Sequence, residues 1–157
     1  MAEEWVKALG IDYGTVRIGL ATSDDIGMLA HPFQTISGKS EDNPAQVIHQ
    51  IVKERGIKDI VIGLPLHSDG SESTMSKEVA KFVVKLRKEL GENFPIHEVD
   101  ELRTTRTARE KLQQAGKKEK EVKGILDQVA AAEILQDWLD QRAGSLLPDI
   151  DLFPEED

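Results

Sequence analysis

Residues 59–65, DIVIGLP, run apolar without the alternation of a half-exposed strand, and they lie between two segments of helical periodicity. A continuous apolar run of this length is what a strand covered on both faces requires, and such strands belong to parallel sheets whose crossover helices supply the cover. The helical flanks are explicit. NPAQVIHQIVKERG opens on Asn-Pro, places Val47, Ile48, Ile51 and Val52 at helical spacing and stops at Gly56. Residues 75–90 bring Val79, Phe82, Val83, Leu86 and Leu90 to one face and stop at Gly91.

Ahead of this unit, WVKALGID (5–12) and RIGLATS (17–23) are apolar runs joined by YGTV, the pattern of a hairpin with a glycine-containing turn. A third run, about 26–36, contains Pro32 and suits an edge strand. Behind it, PIHEVDE predicts a strand, TTRTAREKLQQAG a threonine-capped helix ending at Gly116, and residues 124–142 a final helix. The expected architecture is α/β: a five-stranded mixed sheet flanked by helices, with right-handed crossovers. Its domain spans residues 1–143, followed by an acidic tail over 144–157.

At 157 residues the chain has room for one full core. It contains no cysteine, which excludes disulfides, Cys-ligated zinc and a thiol nucleophile. No stretch reaches the length of a membrane span, and a cytoplasmic protein without membrane partners is expected. The net charge of -9 disfavours nonspecific polyanion binding, yet residues 103–123 hold eight cations against three acids. That segment is either a nucleic-acid contact or a solvated helix face.

Ligand sites in such sheets gather beyond the carboxyl ends of the parallel strands. Asp12 stands there, at the break between the first strand and its turn; Asp100 and Glu101 end the strand that begins at Pro95. Alternation separates Glu98 and Asp100 from Glu101, and either member of the pair is open as the one facing the site. Asp127 shares a helical stripe with Ala131, Ile134 and Trp138, so its carboxylate lies on or beside the face that meets the sheet. Each acid also has a structural explanation, as an Asx turn or a helix-terminal charge. Together, three carboxylates from three elements suit Mg²⁺ or Mn²⁺ and the in-line displacement of a phosphodiester. Thr15 and Arg17 in the first turn are candidates for contact with substrate phosphate. His67 is a loop histidine with a lesser case for proton transfer, and Asp69-Gly70 reads as a turn.

The stretches "GIDYGTVRIGLA", "VIGLPLHSDGSES", "VDELRTT" and "LDQVAAAEILQDWL" resemble, in order and spacing, the YqgF/RuvX family over residues 5–142. To this ribonuclease H-like group are ascribed Holliday-junction resolution and maturation of the 5′ end of pre-16S ribosomal RNA. The resemblance implies a ribonuclease H-like fold and a metal-dependent nuclease whose acids are Asp12, Asp100 or Glu101, and Asp127, with Arg103 and Arg106 near substrate. It implies nucleic acid as partner, pre-rRNA or branched DNA, and leaves open ribosomal particles and a non-catalytic RNA-binding role. One position departs: the family places Arg directly after the acidic pair, whereas this chain has Leu102 and then Arg103. A shift of one residue turns a side chain by about 100° on a helix, or to the other face of a strand. The opening G-I-D-x-G-T also occurs in ATP-binding folds of the actin and sugar-kinase type, which use two such domains and a second phosphate loop; 157 residues leave room for neither.

Overall fold

The structure is a computed structural model that describes residues 7–66, 74–102 and 119–146. In chain order the elements are β1 (Ala8–Asp12), β2 (Arg17–Ser23), β3 (Ala30–Ser37), α1 (Pro44–Arg55), β4 (Asp59–Leu66), α2 (Thr74–Leu90), β5 (Ile96–Leu102) and α3 (Glu119–Leu146). They form one five-stranded sheet in the order β3-β2-β1-β4-β5. The β1–β2 and β2–β3 pairs are antiparallel, while β4 lies parallel to both β1 and β5. The mixed sheet expected from the sequence is therefore present, and Pro32 sits on the edge strand, beside a register shift between Leu20 and Ala21.

Two apolar layers follow from strand alternation. Leu9, Ile11, Ile18, Leu20, Ile60 and Ile62 meet Ile48, Ile51 and Val52 of α1 and Val79, Phe82 and Leu86 of α2 on one face. Ala8, Ala21, Val61 and Val99 meet Ala131, Ile134, Leu135 and Leu139 of α3 on the other. Val47, which the helical pattern grouped with the core, is 37% exposed, because the buried stripe of α1 is narrower than its apolar content. Helix α1 begins with Pro44 in its first turn and ends at Gly56, whose φ of 65° lets its N–H return to the Val52 carbonyl.

Helix α3 runs from Glu119 to Leu146, longer at both ends than the 124–142 expected. The helix predicted over TTRTAREKLQQAG, the loop holding His67 and Asp69-Gly70, and the tail beyond residue 146 lie outside the described residues. Among those described, no helix is long and apolar enough to cross a membrane.

Candidate active site

Asp12 is the last residue of β1 and 9% exposed. Leu9 and Ile11 point toward α1 and α2, so Gly10 and Asp12 occupy the α3 face. Directly across the β1–β2 ladder, Asp12 is paired with Gly19. Side chains at directly opposed positions would stand about 5 Å apart, but Gly19 has none, and α3 fills the vacancy. A Cβ on Gly19 would collide with the carbonyl of Asp127 and lie 2.8 Å from its Cβ. Gly10 does the same one turn further along the helix, where a Cβ would stand 2.7 Å from the Ala131 carbonyl oxygen and 2.7 Å from Leu135 Cβ. Two glycines on adjacent strands thus let α3 settle onto the sheet and carry Asp127 to the residue opposite Asp12.

Asp127 lies well inside α3, eight residues beyond its start, which removes the explanation of a first-turn acid satisfying the helix terminus. Its carboxylate accepts from Arg17 Nε at 2.7 Å, with side-chain exposures of 19% for Asp127 and 43% for Arg17. The guanidinium offsets the charge of a partly buried acid beside a second acid. Polar clamps fix the helix further. Thr35 Oγ1 donates to the Gly124 carbonyl at 3.0 Å, Gln128 Nε2 to Thr35 Oγ1 at 3.2 Å, and Gln136 accepts from the Ala30 N–H at 2.9 Å while donating to the Met28 carbonyl at 2.9 Å. Sequence reasoning missed these positioning residues, because Gln128 and Gln136 read as ordinary polar helix positions. The helical stripe through Asp127 was the only available signal.

Of the acidic pair on β5, Asp100 is exposed and two residues from Glu98, also exposed, whereas Val99 between them is buried against α3. The structure therefore does not bring Asp100 to the Asp12–Asp127 side. The backbone of Glu101 is paired with Pro65; its side chain, like Arg103 and Arg106, is outside the described residues. Thr15 is exposed and borders a groove on the α2 side of the turn. His49 bonds Glu89 at 3.1 Å and His97 bonds Asp59 at 3.0 Å, away from this rim. Among the described residues no three His, Asp or Glu side chains form a metal cluster; Asp12 and Asp127, the latter seated on the residue paired with Asp12, offer oxygen alone. Oxygen-only donors suit a hard divalent cation.

The sheet order, with an acid ending β1 and a second acid on the helix that crosses it, defines a ribonuclease H-like fold. The fowlpox virus resolvase, solved with Holliday-junction DNA, shares that fold at a TM-score of 0.50 and 7% identity, covering 87% of this chain and 99% of that one. The chain belongs to the RuvX family, whose model, described as "Holliday junction resolvase", matches residues 6–141. A relative from Mycobacteroides abscessus named "Putative pre-16S rRNA nuclease" is 41% identical over 140 residues, covering 87% of this chain and 82% of its own. A relative of the same name from Crocosphaera subtropica is 40% identical over 144 residues, covering 92% and 99%.

Proposed function

We propose that this protein is a divalent-metal-dependent endonuclease that hydrolyses phosphodiester bonds at the 5′ end of pre-16S ribosomal RNA, in the cytoplasm and on precursor ribosomal particles. The observation that carries the reading is the seating of Asp127 of α3 on Gly19, the residue paired with Asp12, with Arg17 bonded to Asp127. In it, Asp12, Asp127 and Glu101 hold Mg²⁺ or Mn²⁺. Glu101 is preferred over Asp100 because position 101 continues the alternation of His97 and Val99, the residues of β5 that meet α3. The chemistry such an ion supplies is charge neutralisation at the scissile phosphate and acidification of an attacking water.

Arg17 keeps Asp127 oriented through Nε and offers the remainder of its fork to a non-bridging phosphate oxygen. Thr15, Arg103 and Arg106 extend the binding surface along the strand. The names of the relatives favour RNA. The description of the matching family model favours a second reading, branched DNA.

The test incubates the protein with Mn²⁺ or Mg²⁺ and either a 5′-extended 16S precursor fragment or a four-way DNA junction, with Asp12→Asn alongside. Cutting of the RNA alone, lost in the variant, supports the proposal. Cutting of the junction alone moves the substrate to DNA, and cutting of neither leaves a non-catalytic RNA-binding module.

A further inference from the structure

The β1–β2 turn serves both faces of the sheet. Asp12 faces α3, while Tyr13, the next residue, packs on Phe82 of α2 with ring centroids 4.6 Å apart. Beside that aromatic pair opens a groove of about 460 Å³, with Thr15 and Ser40 on one wall and Lys81, Lys85 and Lys88 on the other. The three lysines recur at four- and three-residue spacing and form one exposed face of α2. Like charges at that spacing destabilise a helix, so their presence asks for an anion. Lys81 lies 3.7 Å from Glu78, itself part of the lining, but among the described residues Lys85 and Lys88 enter no ion pair. In a chain of net charge -9, α2 holds five cations against two acids.

The lining is not polar throughout. Tyr13, half-buried, borders the groove, and Val84, 54% exposed, stands on the helix face that carries the lysines. A tyrosine ring and an exposed valine beside a row of lysines fit a nucleotide, whose base takes the apolar surface and whose phosphates take the ammonium groups. Because Asp12 and Tyr13 are adjacent in the chain, a strand cut at the rim on the α3 side needs only to cross the turn to reach it.

We propose that the groove between the β1–β2 turn and α2 is a nucleotide subsite for the single RNA strand flanking the scissile bond, with Lys85 and Lys88 as its phosphate ligands. The inference rests on the nuclease reading for the identity of the strand.

Its test measures fluorescence anisotropy of a labelled single-stranded RNA with the full chain in EDTA, across a salt series. Lys85→Glu with Lys88→Glu raises Kd about tenfold or more and flattens the slope of log K against log salt by about 1.4, at about 0.7 for each phosphate no longer neutralised. Lys85→Arg with Lys88→Arg retains binding, and circular dichroism verifies that all variants fold. Wild-type affinity in the glutamate variant overturns the proposal, as does failure of the wild type to bind RNA. Inorganic polyphosphate displacing the strand as well as RNA of equal phosphate count overturns it too, since no base would then be held. The nuclease reading fails separately, when metal-supplied protein cuts neither substrate, because groove binding is read without metal or turnover.

Discussion

Arg17 Nε donates to Asp127 Oδ2 at 2.7 Å, joining residues 110 positions apart and tying the first hairpin to the last helix at the rim where Asp12 ends β1. The guanidinium is the cation the described structure itself supplies to this acid. A divalent ion binding at Asp127 would share or displace it.

Asp12→Asn keeps the shape of the side chain while removing a buried charge. Cleavage is expected to fall by at least about a hundredfold, whereas Tm should stay within roughly 4 °C. Single-turnover cleavage and a thermal melt together check this, and retained cleavage would eliminate Asp12 as a metal ligand.

Arg17→Ala removes an ion pair whose arginine is nearly half exposed, so the cost in stability is small, about 0–1 kcal/mol. Two larger effects are expected instead. Mn²⁺ binds more tightly in calorimetry, because Asp127 no longer has a guanidinium competing for it, and KM rises because the substrate phosphate no longer meets a cation there. Arg17→Lys restores the charge but not the fork, and recovers only part of the KM. Unchanged Mn²⁺ affinity and KM would show that Arg17 is a surface residue alone.

Gly19→Ala sets a methyl group against the backbone of α3 at Asp127, which cannot yield without moving the helix. A loss of about 1–3 kcal/mol is expected, near 2–4 °C in Tm per kcal/mol, with cleavage falling further than stability explains. Gly63→Ala meets only the Ile134 side chain, whose terminal methyl can rotate away, and should be milder in both readouts. Equal effects of the two substitutions on cleavage would sever the link between helix seating and the site.

Tyr13 is the single tyrosine of the chain, so its ionisation can be followed by absorbance without ambiguity. Burial raises its pKa above the ordinary value of 10.0, and the negative charge of Glu78 adds to the rise. The folded state holds this proton more tightly than the unfolded chain. Its contribution to stability is therefore complete below pH 10 and disappears as the pH climbs through the raised folded value. Glu78→Gln should lower the midpoint only partway, since desolvation is the larger cause; a midpoint at 10.0 in the native protein would refute the assignment.

Much of the architecture was legible in local pattern. The continuous apolar run of β4, the Pro44 start and Gly56 stop of α1, and Pro32 on the edge are each dictated by burial or by backbone chemistry acting within a few residues. Asp12 at a strand end and Asp127 on an apolar stripe were visible for the same reason. Periodicity could not rank Asp100 against Glu101, because alternation separates the two faces without saying which one a helix will cover; in the structure Val99 is buried against α3 and Asp100 is exposed.

What the chain determined by itself is thus the described elements, their order, Asp12 at a strand end and Asp127 on a helical stripe, all set by short-range sterics and hydrophobic period. That Asp127 is seated on the residue opposite Asp12 was decided only in three dimensions. Gly10 and Gly19 look like unremarkable small residues in their strands, and their role exists only once α3, more than 100 residues later, lies against the bare backbone they expose. The Arg17–Asp127 pair and the Thr35–Gln128 and Ala30–Gln136 clamps are of the same kind. Such interactions depend on distances between elements, which no local spacing encodes.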